Sequence, residues 1–245
     1  MVYDRAMGAT VLYGGDTYGT TFGDTWLFSK ATGWKQLTPA VSPPPLTSAS
    51  MAYDPTTETV VLFGGVLDGG TNSDETWTWD GVNWTRQFPP VSPSALVFNN
   101  ETWEWDGTSK TCPQLFPASS PSPREATLAY DETTSQVVLF AGWTNGITYD
   151  DTWTYNCVDW VQQQPATSPP ERADNGLAFD PILKGVVLFG GWNGENWSQV
   201  QTSKSPQPSS GRSYTYDGTT KAMLLFGGWV TDYQFTNSTW LFGLL

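Results

Sequence analysis

The amino-acid sequence predicts an all-β fold assembled from repeated four-stranded units. Short β-branched and aromatic runs are bounded by Gly, Pro, Asn and Asp, as strands are. No segment holds a helical period, and the same signatures return in fixed order along the chain. The 245 residues are ample for a core, and 14 Trp, 12 Phe and 10 Tyr with only 14% charged residues argue against disorder.

Each unit opens on an apolar strand ending in Tyr-Asp or Phe-Asp: Met1 to Asp4, Met51 to Asp54, Leu128 to Asp131, Leu177 to Asp180 and Tyr214 to Asp217. After a polar turn comes a run such as VVLF, closed by paired small residues at Gly14-Gly15, Gly64-Gly65, Ala141-Gly142, Gly190-Gly191 and Gly227-Gly228. Glycine there lets the backbone bend tightly and approach a neighbour. No phosphate-cradle spacing follows these glycines. The third strand follows a loop: DTWLF from Asp24, DETWTWDG from Asp74, ETWEWDG from Glu101, DTWTYN from Asp151 and STWLF from Ser238. Alternation in T-W-T-W puts successive side chains on opposite sheet faces. The fourth strand carries Trp34, Trp84 or Trp160, and the Asp-Gly of WDGVNW marks the hairpin that leads into it.

Such units bury their faces by stacking on one another, and radial stacking makes a β-propeller. The double glycine, the aromatic strand and the spaced Trp resemble the Kelch-repeat β-propellers, of the bacterial and galactose-oxidase central-domain type, over essentially the whole chain. The resemblance implies one domain over residues 1–245 with about six four-stranded blades, some incomplete. It implies little about activity, because the fold hosts binders, adaptors and enzyme scaffolds. Gly15 to Gly65 spans 50 residues and Gly142 to Gly191 spans 49, yet Gly65 to Gly142 spans only 77. A shortened unit around Leu96 to Pro117 is expected there, with Asn99-Asn100 joining its second and third strands and no Tyr-Asp strand ahead of them.

The chain has 11 Lys+Arg, 24 Asp+Glu and no histidine. The resulting charge of −13 disfavours nucleic acid and anionic membranes, and no apolar run is long enough to span a bilayer. Without histidine there is no His-based triad and no His-ligated metal, so the copper and iron chemistry of Kelch-type relatives does not carry over. No cofactor and no metal site are expected. The oxygen-rich run Asp68 to Asp74 lacks the bidentate Glu of a calcium loop. Four sequons, at Asn83, Asn100, Asn196 and Asn237, and a low Lys content point to an extracellular or cell-surface protein, its signal peptide not present in this chain.

Binding residues concentrate in loops on rigid scaffolds, here those between second and third strands. They offer Trp143, Trp192, Trp229, Tyr18, Tyr149 and Tyr233, with Phe22 and Phe235 beside them. Planar rings among Asn, Asp and Thr suit sugars or peptides, or else cap neighbouring blades. Arg124, Arg172 and Arg212 stand on the approach to a first strand, where Leu46 stands in the second unit. By the resemblance they face the channel mouth and receive an acidic partner; the alternative is that each pins its own Pro-rich connection. Asp24, Asp74, Asp150 and Asp151 recur with the repeat, which argues for turn capping over catalysis. Cys112 and Cys157 both depart from the repeat, and either form a disulfide closing a 45-residue loop or remain free thiols. The expectation is a non-catalytic binding module, acting on a protein partner or by self-assembly through its loop face or open blade edges. A lectin-like, glycan-binding propeller is the alternative, and a carboxylate-based glycoside hydrolase the second alternative.

Overall fold

The computed structural model describes residues 1–17, 19–94, 99–192, 213–230 and 234–242. For residues 191, 192, 229, 230, 234, 235 and 242 it describes the backbone alone. The described residues form strands and turns and contain no helix. They divide into two compact units interleaved in sequence: Met1–Leu96, Thr102–Leu115 and Asp217–Lys221 in one, Val97–Glu101, Phe116–Tyr216 and Ala222–Leu245 in the other.

In the first unit, Val2–Asp4, Ala9–Thr17, Thr20–Ser29 and Gly33–Leu37 form an antiparallel sheet wired in chain order. Ser50–Asp54, Thr59–Phe63, Thr76–Trp79 and Trp84–Gln87 repeat that order in a second sheet. Among its described residues the shortened repeat supplies the pair Thr102–Trp103 and Gln114–Leu115. In the second unit, Glu125–Asp131, Gln136–Thr144, Ile147–Tyr155 and Trp160–Gln163 make a complete fourth sheet. Ala173–Asp180 and Gly185–Trp192 form a fifth, two-stranded one. The sixth has three strands: Ser213–Asp217, Ala222–Phe226 and Thr239–Phe242. Of about six four-stranded blades expected, three have all four strands among the described residues.

The Tyr-Asp signature builds the first turn of each repeat. Asp4 Oδ1 accepts the amides of Ala6 and Met7 at 2.9 and 3.1 Å, and Asp54, Asp131, Asp180 and Asp217 do the same two and three residues on. These are Asx turns, in which a side-chain oxygen stands in for a backbone acceptor. The paired small residues build a bulge. Pairing slips between Tyr13 and Gly15, and again between Phe140 and Gly142. Gly142 sits at φ +112, where a Cβ would run into the Glu125 carbonyl.

The strands do not stop at the bulge. Gly15 pairs with Phe22 and Thr17 with Thr20, while Trp143 pairs with Thr148 and Thr144 with Ile147. The two segments expected as loops are therefore extended β-ribbons, because the bulge resets the register and lets pairing continue.

Aromatic packing fills the space between sheets. Val11 and Tyr13 of the first sheet share a core with Val60, Leu62, Trp77, Trp79 and Trp84 of the second. The Trp84 indole donates to Thr25 Oγ1 at 3.0 Å across that junction. Within the complete sheets each fourth-strand Trp lies against the aromatic opposite it, Trp34 on Phe28, Trp84 on Trp79 and Trp160 on Tyr155, with centroids 5.1–5.4 Å apart.

Candidate functional site

The repeated carboxylates serve the fold in a way the sequence reading did not foresee. Asp24 Oδ2 accepts the Trp26 indole at 2.5 Å, Glu75 Oε2 that of Trp77 at 2.8 Å, and Asp151 Oδ2 that of Trp153 at 2.7 Å. In D/E-x-W the acid lies two residues before the ring, on the same face of the strand, within reach of its N–H. Turn capping falls instead to the Asp of Tyr-Asp and of WDG: Asp80 Oδ1 accepts the amides of Val82 and Asn83, each at 2.8 Å.

Of the three candidate arginines, the two among the described residues are absorbed inside. The Arg124 side chain is 3% exposed, bonds Asp151 through both terminal nitrogens, and lies 3.6 Å from the Tyr149 ring centroid. It also donates to Ser122 O, Ser122 Oγ and Ala141 O. Arg172 is fully buried, donating to Pro170 O at 2.9 Å and Gly190 O at 3.3 Å. Burial brings its pKa down to about 10. Each guanidinium ties its Pro-rich connection to the first carbonyl of a small-residue pair, which corrects the reading of Arg124 and Arg172 as ligand-facing. Tyr149, beneath Arg124, is committed with it. Tyr18, Tyr233, Arg212 and Asn196 lie outside the described residues, as do the side chains of Trp192, Trp229 and Phe235.

The cysteines are free, Cys112 buried and Cys157 exposed. Neither forms a disulfide in the structure, which corrects the expected bridge. Cys112 takes the place of the fourth-strand Trp: Trp103 pairs with Gln114 as Trp77 pairs with Arg86, which sets Cys112 opposite Trp105. Burial pushes its thiol pKa up. Cys157 takes the turn position of Gly81 and keeps its left-handed backbone, at φ +70 against +94. Asn83 is half-buried, its Oδ1 accepting the Ala40 amide at 2.8 Å; Asn100 and Asn237 are exposed. The Asp68 to Asp74 segment is a hairpin closed by Leu67 N to Thr71 O and Ser73 N to Gly65 O, both 2.8 Å. Among the described residues, no group of three His, Cys, Asp or Glu is arranged to hold a metal ion.

Two features of the second unit remain open to a ligand. At the bulge end, half-buried Trp143 pairs in register with Glu125, and Trp192 with Ala173, next to Asp174. Glu125 and Asp174 reach solvent, yet the surrounding protein raises the pKa of both, and the Asp174 charge adds to the rise at Glu125. Sequence reasoning missed both acids because they stand on first strands, outside the loops between second and third strands. The second feature is a sheet face. Leu128 and Tyr130 on the first strand of the fourth sheet are each 52% exposed. Their counterparts Met51 and Tyr53 pack into the core between the first two sheets, and Leu177 is 8% exposed.

No family model matches the chain, and no curated protein matches it in sequence. Among solved structures it is similar to that titled "Structure of YjhT", with a TM-score of 0.63 and 12% identity over 95% of this chain and 94% of that one. At that identity the likeness shows fold alone. Together with antiparallel sheets wired in chain order, it makes this fold a β-propeller.

Proposed function

We propose that the chain is a Kelch-type propeller, exported or displayed at the cell surface, that works as a non-catalytic protein-binding or assembly module. The observation that carries the reading is the half-exposed pair Leu128 and Tyr130, on a face that other sheets of the same chain keep covered. Apolar groups at a position built for burial favour a protein surface over water. Benzophenone-alanine placed at position 130 tests it. In native extract, a polypeptide adduct is expected at 130 and not at the exposed hairpin residue Val158. Equal or absent adducts at the two positions sink the reading.

A glycan ligand is the second reading, favoured by Trp143 beside Glu125 at the bulge end. A ring platform next to carboxyls suits a hydroxyl-rich ligand. A glycan array checks it, with signal expected to vanish in Trp143→Ala. Hydrolysis fits this end less well. A glycosidase pair pushes its two pKa values apart, whereas Glu125 and Asp174 are both raised.

A further inference from the structure

The first strands of the fourth and fifth sheets, Glu125–Asp131 and Ala173–Asp180, lie side by side within the second unit. Leu177 packs with Ala129, Phe140 and Ala141 of the fourth sheet, and the Thr127 hydroxyl donates to Asn175 O at 2.7 Å. Alternate residues of a strand share a side, so Asn175, two before Leu177, also faces the fourth sheet. By the same alternation Glu125, two before Thr127, faces the fifth. Trp143, its cross-strand partner, stands on that side with it. The slip in pairing there puts its extra residue on the second strand and leaves the alternation of the first strand whole.

This end holds polar groups whose needs the described residues do not meet. Asn175 is 5% exposed, and its Nδ2 has no hydrogen-bond partner. A buried donor left unbonded is costly and uncommon in a folded chain. Glu125 and Asp174 are near enough for one charge to disfavour the other. Among the described residues no Lys or Arg pairs with either carboxyl, since Arg124 is committed to Asp151. A buried donor thus faces the fourth sheet beside two uncompensated acids and a half-buried indole.

We propose that this end of the second unit binds an oligosaccharide of amino sugars whose amines are free rather than acetylated. The ammonium group takes the carboxyls of Glu125 and Asp174, a neighbouring sugar oxygen accepts from Asn175, and the sugar ring lies on Trp143. The proposal rests on the glycan reading above and names the class of sugar. A lysine, an arginine or a polyamine offers donors alone and leaves Asn175 unbonded. A neutral sugar leaves the paired acids without a counter-charge, and an acidic sugar meets them with like charge.

The probes are the trimer of fully deacetylated chitin, the acetylated chitin trimer and spermidine, each titrated into the full chain by calorimetry. Saturable binding is expected for the deacetylated trimer, tighter than either of the others by about tenfold or more. Glu125→Gln/Asp174→Asn and Asn175→Leu should each weaken it by a similar factor. An unchanged near-ultraviolet spectrum shows that a variant is folded. Where Asn175→Leu fails that check, the double variant carries the test, because it replaces two solvent-reaching carboxyls with amides of the same shape. No saturable heat from the deacetylated trimer, or equal binding by the double variant, overturns the proposal. Equal binding of spermidine makes this a general cation site and overturns it too, as does equal binding of the acetylated trimer. A Trp143-dependent signal for another sugar on the glycan array keeps the glycan reading after any of these failures, and its absence removes both.

Discussion

Asp151 accepts from the Trp153 indole and from the Arg124 guanidinium, whose side chain is 3% exposed. Removing it strands a buried cation, so Asp151→Ala is expected to cost about 3–5 kcal/mol in denaturant unfolding. Asp24→Ala loses an indole bond alone and is expected to cost about 1–2 kcal/mol. At Glu125 the pKa is raised in the folded state, first by burial and then by Asp174. The folded chain therefore holds that proton to higher pH than the unfolded chain, and the group's contribution to stability falls as pH rises above the ordinary carboxylate range. Glu125→Gln should raise the melting temperature at neutral pH, and the gain should vanish near about pH 3, where both states are protonated. The two cysteines separate by reactivity: native protein treated with iodoacetamide should gain one adduct, at Cys157, and a second at Cys112 only on unfolding. The arginines could be picked out in the sequence as rare, regularly placed cations. Their partners could not, because Ala141 O and Gly190 O lie 17 and 18 residues away and arrive only when the bulge folds.

Every first turn places the fourth residue after its Asp in the left-handed region: Gly8 at φ +63, Glu58 at +54, Ser135 at +56, Lys184 at +53 and Lys221 at +51. Four of the five carry a side chain there, against the preference of L-residues. Lys184→Gly is expected to gain up to about 1 kcal/mol in thermal unfolding, less the extra chain freedom of glycine in the unfolded state. The bulge gives the opposite sign. Gly15→Ala meets strain alone, with nothing within 4 Å of the added Cβ, whereas Gly142→Ala also meets the Glu125 carbonyl. The second substitution should be the more destabilising, and the first should cost about 1–3 kcal/mol. Strand positions and turns were legible because alternation, Asx residues and glycine act within a few neighbours. The ribbons past Gly15 and Gly142 were not, because nothing in WTNGITYDD separates a solvated loop from two strands whose register has slipped by one.

Among the described residues, the six units read from the sequence correspond to six of eight hydrogen-bonded sheets, and three of these six have four strands. The interval of 77 residues already marked the third repeat as short. What it did not reveal was the exposure of Leu128 and Tyr130, which match the repeat in sequence and become unusual only in the structure. The complete sheets are joined strand to next strand, each pairing with its neighbour in the chain. Such pairings close over short stretches, so a sheet can form with little loop-closure entropy and without waiting for distant segments. Repeat length is then free to vary in evolution: half a unit can be lost while the sheets on either side of it keep their own wiring.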